Sequence, residues 1–263
     1  MMVMHPISLS VLIVTYNEAH NIEACLQSVH FATEVIILDS GSTDKTVEMA
    51  KQYTPHVFHA DWPGDGPQKK RAFSYATQQW ILVLDADERV SPELATELRQ
   101  LCAPNTDVHL NAQKIIAGYD IPYQSYYFEH PIKFGDWRGE KHLRLFNRDY
   151  GEISDNIVHC HIKLSGQKSK TKGKIIHHPF RSLDALIHKM NVYSTESAKY
   201  KFSHHKKASL FTAVTHALWC FVRGYILKLG FLDGSSGFML ALSNAHGTYY
   251  RYLKLRSMHY AKS

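Results

Sequence analysis

"ILVLDADERV" (residues 81–90) sets four aliphatic residues directly before three acids, Asp85, Asp87 and Glu88. A short continuous apolar run reads as a strand buried on both faces, the kind that forms the middle of a parallel sheet. Two upstream segments repeat the design: "LSVLIVTYN" (9–17) and "EVIILDSGSTD" (34–44) are β-branched, apolar and closed by a polar turn. A third strand is expected at 56–60, ahead of the Gly/Pro-rich loop "DWPGDGP".

Helical periods fill the gaps. "EAHNIEACLQSVHF" (18–31) places Ile22, Cys25, Leu26 and Val29 on one face, and "TDKTVEMAKQY" (43–53) starts a helix with Thr43 or Asp44 as N-cap. "QKKRAFSYATQQ" (68–79) leads into the strand "WILVLD" (80–85). Four strands alternating with helices predict an α/β fold, a mostly parallel sheet with helices on both faces. Ligands of such sheets sit outside the carboxyl ends of the strands. Thr15, Tyr16 and Asn17, Asp39, and Asp85 to Glu88 all end strands and should converge on that rim. The acids follow the strand because it delivers them to a site.

Residues 105–180 are aromatic, His-rich and irregular, and read as loops and short strands covering the rim. A helix is expected over 182–202 with Ser182 as N-cap. Over 208–231, Phe211, Val214, Leu218, Phe221, Val222, Tyr225 and Leu229 recur at helical spacing, interrupted by His216, Arg223 and Lys228, an amphipathic rather than membrane-spanning pattern. The division expected is a catalytic domain over 1–180 and a basic amphipathic helical appendage over 181–263.

The 263-residue chain has ample length for a core. Cys25, Cys102, Cys160 and Cys220 form no C-x-x-C pair and read as reduced structural thiols. "MMVMHPISLSVLIVTYNE" reads as a first strand rather than a secretory leader, which leads us to expect a cytoplasmic protein. The net charge of +6 is uneven: residues 197–263 hold ten Lys and Arg against Asp233 alone, a net +9, leaving −3 for residues 1–196. That asymmetry suits an anionic partner for the tail. G-x-G-x-x-G and G-x-x-x-x-G-K-[ST] are both absent, excluding the usual dinucleotide and P-loop fingerprints.

Asp85-Ala86-Asp87 sets two carboxylates at i and i+2, able to converge on one hard cation, Mg²⁺ or Mn²⁺, and through it on a diphosphate. A solvated turn is the ordinary alternative for such a pair. Its position at the end of a buried strand favours the site.

In this order and spacing, "SVLIVTYNE", "DSGSTDKT", "QKKRAF" and "LDADERVSPEL" resemble the family 2 glycosyltransferases, which have the GT-A fold. "HLRLFNRD", "FLDGSSGF" and "RYLKL" resemble the branch near the bacterial lipopolysaccharide-core β-1,4-glucosyltransferases. The resemblance implies that Thr15 and Asp39, supported by Asn17 and Glu18, hold the uracil and ribose of a UDP-sugar. It implies that Asp85 faces ribose and metal, that Asp87 ligates the metal, and that Lys69 neutralises the diphosphate. Inverting transfer also needs a general base. Glu140, aligned with a family Asp before "HLRLF", is the first choice, and Asp136 the second. The family's "VHE" is Val158-His159-Cys160 here, so the Glu is missing while His159 remains a candidate for phosphate or metal. His177 matches a family His after a strand and carries the same choice between ligand and structural imidazole.

The function expected is thus an inverting transfer of a hexose, glucose foremost, with Mn²⁺ or Mg²⁺ as cofactor. The donor would be a UDP-sugar and the acceptor a lipopolysaccharide-core or other lipid-linked glycan. Residues 197–232 would meet an anionic membrane surface from the cytoplasmic side, and no nucleic acid is implied. A sugar-nucleotide pyrophosphorylase and a non-catalytic membrane-surface scaffold are the alternatives.

Overall fold

Leu9–Thr15 (β1) is buried at every position but Val14 because it is the middle of a sheet covered on both faces. It pairs in parallel with Glu34–Asp39 (β2) on one side and Trp80–Asp85 (β4) on the other. Val57–His59 (β3) extends the sheet beyond β2. Alternate side chains feed two cores. Leu9, Val11 and Ile13 pack with Ile22, Cys25 and Leu26 of Ile22–Ser28 (α1) and with Leu94 and Leu98 of Pro92–Leu101 (α4). Leu12, Ile36 and Ile81 face the other way, toward Ala72 of Asp65–Ser74 (α3) and Phe146. This is the two-faced burial expected of parallel strands. The computed structural model describes residues 7–103, 110–111, 114–156 and 160–260.

Several boundaries differ from the sequence reading. The helix after β2 is short, Thr46–Ala50 (α2), with Lys45 at its N-cap; Asp44, one residue earlier, accepts from the Thr46 N–H and so secures the turn. α3 starts inside the Gly/Pro loop. Gly66 is required there, since a Cβ would stand 2.2 Å from the Ser154 carbonyl oxygen. Glu88–Val90 (β5) follows the acidic turn at once, so Glu88 is a strand residue rather than part of the turn.

The larger correction concerns 105–180. Leu110–Asn111 (β6) is followed by the 14-residue strand Lys114–Tyr127 (β7), against which His130–Pro131 (β8) folds back. Lys141–Asn147 (β9) lies antiparallel between β4 and β7, so the parallel sheet continues as an antiparallel one. From Ile121 to Tyr127 buried and less buried residues alternate strictly, a period-2 signal carried by Ile121, Tyr123, Ser125 and Tyr127. Gly151–Ile153 (β10) pairs with Ile162–Leu164 (β11), Gln167–Lys170 (β12) joins β7, and Ile175–His177 (β13) pairs antiparallel with β5.

The chain forms two compact units, one of Met1–Tyr123 with Glu140–His177, the other of Gln124–Gly139 with His178–Ser263. In the second unit Leu183–Ser203 (α5) is capped by Ser182, whose hydroxyl accepts from the Ala185 N–H, as expected. The single helix expected over 208–231 is instead Leu210–Phe221 (α6) followed by a wider π-helical turn, Val222–Leu227, and a 3₁₀ turn, Gly230–Asp233. Leu210–Leu227 is long and apolar enough to cross a membrane, by length and composition. Gly234–Tyr260 (α7), which the sequence reading did not resolve, packs against both α5 and α6.

Candidate active site

Register brings the strand ends to one level: Thr15 is opposite Asp39, and Val14 is opposite Asp85. The loops after β1 and β2 are laced together by residues expected to touch a nucleoside. Asn17, in the left-handed region at φ 55°, accepts from the Thr43 N–H through Oδ1 at 2.8 Å, and its own N–H donates to Ser42 Oγ at 2.8 Å. The Glu18 N–H donates to Thr46 Oγ1, and its carboxylate accepts from Asn21 Nδ2 at 2.9 Å. Asp39, 2% exposed, accepts from the Gly41 and Ser42 N–H groups at 2.9 Å each. Its carboxylate therefore shapes the turn, and with Gly41, Ser42, Lys51, Phe58 and His59 among others it lines a cavity of about 370 Å³. Thr15 is buried beneath this rim, its hydroxyl without a hydrogen-bond partner among the described residues.

The three acids of the opening stretch separate into three environments. Asp85 Oδ1 is 2.9 Å from Lys69 Nζ, and Oδ2 accepts from Arg144 Nη2 at 3.0 Å. Burial works to raise the Asp85 carboxyl, but Lys69 and then Arg144 outweigh it and hold it far below the usual carboxylate range. Lys69 itself is buried, yet Asp85 and Asp65, the latter at 2.9 Å, keep it protonated. Glu88 is 1% exposed and fully engaged: Arg144 Nη2 at 2.8 Å, the Tyr123 hydroxyl at 2.8 Å and the Asp85 N–H at 3.0 Å all donate to it. Burial raises its carboxyl against the pull of Arg144. Arg144 Nε closes the ring by donating to Tyr123 Oη at 2.6 Å.

Asp87, in the turn between β4 and β5, faces His177, with Oδ2 3.5 Å from Nε2. The pairing of β13 with β5 sets His177 opposite Glu88 and so brings the imidazole there. A carboxylate oxygen and an imidazole nitrogen, both partly solvent-accessible, suit Mn²⁺ or Mg²⁺ with positions left for phosphate oxygens. Among the described residues no three His, Cys, Asp or Glu side chains form a complete protein cage. Asp85, expected beside Asp87 on the metal, has both oxygens on cationic side chains instead. A cavity of about 270 Å³ opens at this point, lined by Asp65, Lys69, Asp85, His142, Arg144 and His161 among others.

Glu140 reaches the same region. Its carboxylate is 2.9 Å from His142 Nε2, and that contact leads the effects that lower its pKa. The Tyr123 ring meets His142 edge-on at 5.1 Å and His177 at 5.9 Å, linking Glu140 to the Asp87 side. Asp136 belongs to the helical unit, where Arg223 binds it through two nitrogens at 3.1 and 2.9 Å and Lys228 at 2.9 Å. His159 lies outside the described residues. Sequence reasoning gave no role to Arg144 or Tyr123; the only signal was Arg144 inside the segment "HLRLF".

Residues 10–164 match the family model for glycosyl transferase family 2. A glycosyltransferase of Rickettsia prowazekii is 31% identical over 95% of this chain and 87% of its own. The lipopolysaccharide core biosynthesis glycosyltransferase LpsC of Rhizobium meliloti is 26% identical over 97% of this chain and 94% of its own. Among solved structures, glucosyl-3-phosphoglycerate synthase from Mycobacterium tuberculosis in complex with Mg²⁺ and UDP is 22% identical, covering 46% of this chain and 43% of that one at a TM-score of 0.34.

Proposed function

This chain belongs to glycosyl transferase family 2 and is an enzyme of the GT-A fold, and from that premise we propose that it moves a hexose, glucose in our reading, from a UDP-sugar to a lipopolysaccharide-core or other lipid-linked glycan with inversion at the anomeric carbon. The observation that carries the reading is the Asp87–His177 pair standing beside the Lys69–Asp85–Arg144 set at the carboxyl ends of the strands. Family membership sets aside the pyrophosphorylase and scaffold alternatives.

In this reading the nucleoside lies over Asp39 in the cavity beside β2 and β3, above Thr15, with Asn17 and Glu18 holding the loops that frame it. Asp87 and His177 would hold Mn²⁺ or Mg²⁺, which would supply positive charge against the leaving diphosphate. Lys69 and Arg144 fix Asp85 as an anion and leave it facing the ribose side. LpsC, named for lipopolysaccharide core biosynthesis, supports a core-glycan acceptor. The reaction would run at the inner face of the cell membrane, with 197–232 toward anionic lipid. The test is a donor screen: UDP-glucose, UDP-galactose and UDP-N-acetylglucosamine with Mn²⁺ or with chelator. Cation-dependent hydrolysis led by UDP-glucose is expected, and no turnover of any UDP-sugar with either metal would refute the reading.

Glu140 takes the acceptor proton, with His142 orienting its carboxylate. Glu140→Gln should leave UDP affinity near wild type and slow transfer by about 10²-fold or more. Asp136→Asn should leave transfer near wild type, because Asp136 is engaged by Arg223 and Lys228. Since the base must be ionised and its pKa is lowered, kcat/KM should fall only as pH drops below the ordinary carboxylate range. If Asp136→Asn shows the loss and Glu140→Gln does not, the assignment is wrong.

A further inference from the structure

The second unit is packed inside out for a water-soluble helix pair. On α6 the residues turned inward are small: Ala213 and Cys220 are buried, as is Gly224 in the following turn. α7 answers with buried Gly237, Ala241 and Ala245, while its larger buried residues are Leu255 and Leu240, the latter packed with Tyr127, Ile132 and Leu186. The large apolar side chains point outward. Phe211 is 78% exposed, Leu218 62% and Trp219 56%, and the row continues through Ile226. An aromatic cluster carries the surface from α6 to α7. Phe238 meets Phe221 edge-on at 5.8 Å and Tyr225 at 5.5 Å, while Phe231 and Phe238 remain 45% and 42% exposed. Small residues between helices and large ones outside is the arrangement used where the surroundings are lipid. An apolar surface this continuous marks an interaction face in any setting.

The charges select the partner. Residues 197–232 contain no acid, and Lys206 and Lys207, just ahead of α6, are exposed. A second copy of this surface would offer those lysines no carboxylate, whereas an anionic lipid would. Arg223 and Lys228, by contrast, are directed at Asp136 within the unit. That ion pair, and the covering of one side of α6 by α7, also argue that the segment lies along the bilayer rather than crossing it, although Leu210–Leu227 is long enough to cross.

We propose that the exposed apolar face of α6, the π-helical turn and the first half of α7 inserts into the headgroup–acyl boundary of an anionic bilayer. Apolar insertion supplies most of the attachment, and Lys206 and Lys207 supply the preference for negative lipid. This deepens the membrane-side reading above but stands on the helical unit alone. It narrows the sequence-based expectation that residues 197–232 meet an anionic membrane surface.

Flotation of the full chain with phosphatidylcholine vesicles, with and without phosphatidylglycerol, tests it. Wild type should float with the anionic vesicles and stay largely bound in molar salt. The triple variant Phe211→Glu, Leu218→Glu, Trp219→Glu should partition at least about 10²-fold more weakly, since three large apolar side chains leave the bilayer. Its circular dichroism and its UDP-sugar hydrolysis in vesicle-free solution should be unchanged. Lys206→Gln with Lys207→Gln should weaken binding by about 30-fold, and salt should reproduce that loss and no more. Trp219 fluorescence should be quenched by brominated lipid and the quenching lost in Trp219→Phe. Wild-type binding by the triple variant overturns the proposal. So does a wild-type dimer in vesicle-free solution that dissociates in the triple variant without any vesicle binding, which would make the face a contact between copies. Absence of donor hydrolysis in wild type would instead strike the glycosyltransferase reading and leave the flotation result standing.

Discussion

Asp87→Asn is expected to reduce cation-dependent UDP-sugar turnover by about 10³-fold or more, the scale of several kcal/mol for losing a metal's hold on a leaving diphosphate. The substitution removes one negative charge and preserves shape. Asp87 lies in a turn, partly accessible, with its Oδ2 3.5 Å from His177 Nε2. Its charge disfavours the ionised form of the buried Glu88 beside it, so neutralising Asp87 relieves that repulsion and the melting temperature should move little. The diagnostic is a Mn²⁺ titration: the variant should require far more cation for half-maximal UDP binding, and His177→Ala should shift the requirement in the same direction by less. Turnover equal to wild type at saturating Mn²⁺ would defeat the metal assignment. Asp85→Asn is a different experiment, because it strips a partner from both Lys69 and Arg144 and mixes stability with chemistry.

That difference between two acids two residues apart marks how far the sequence could be read. β1, β2 and β4 were legible because a strand buried on both faces needs an unbroken aliphatic run. Their polar endings then located the rim, Asp39 and the acid cluster. β7 was read only as irregular because its buried positions mix Ala117, Ile121, Ser125 and tyrosines, and β9 because it buries Leu145, Phe146 and Asn147 in succession instead of alternately. The cost of missing β9 was Arg144, which sits about 60 positions from the acids it binds and reaches them only once β9 is laid antiparallel to β4. Nothing local distinguishes it from a surface arginine. Over 208–231 the apolar residues recur at helical spacing, but periodicity says only that one face differs from the other. Which face is packed depends on whether the neighbouring helix offers small or large residues, and α7 buries Gly237, Ala241 and Ala245 as well as Leu240 and Leu255.

Arg144→Met is expected to destabilise the fold by about 3–5 kcal/mol near neutral pH, the scale for removing one member of a buried ion network. Methionine retains much of the arginine stem, so the loss reports charge and hydrogen bonds. Asp85 would still have Lys69, but Glu88 would keep only the Tyr123 hydroxyl and the Asp85 N–H. Burial already pushes the Glu88 carboxyl above its ordinary value against Arg144, so without Arg144 it should rise further. The folded state then retains a proton that the unfolded chain releases above about pH 4.3, and stability falls as pH rises through that window. Asp85 adds to the same trend. Its carboxyl is held low partly by Arg144, so the wild type has stability at neutral pH that is lost on acidification, and the variant has less of it to lose. The gap between wild type and Arg144→Met should therefore be narrowest in acid and widest above the raised Glu88 value. Denaturant melts from pH 4 to 8 would measure it. Adding Glu88→Gln to Arg144→Met should restore much of the loss and flatten the pH dependence, because the group left charged and buried is then neutral. A gap of constant size across the range would mean that Arg144 contributes by packing alone, and that Asp85 and Glu88 are held in place by Lys69 and Tyr123 without it.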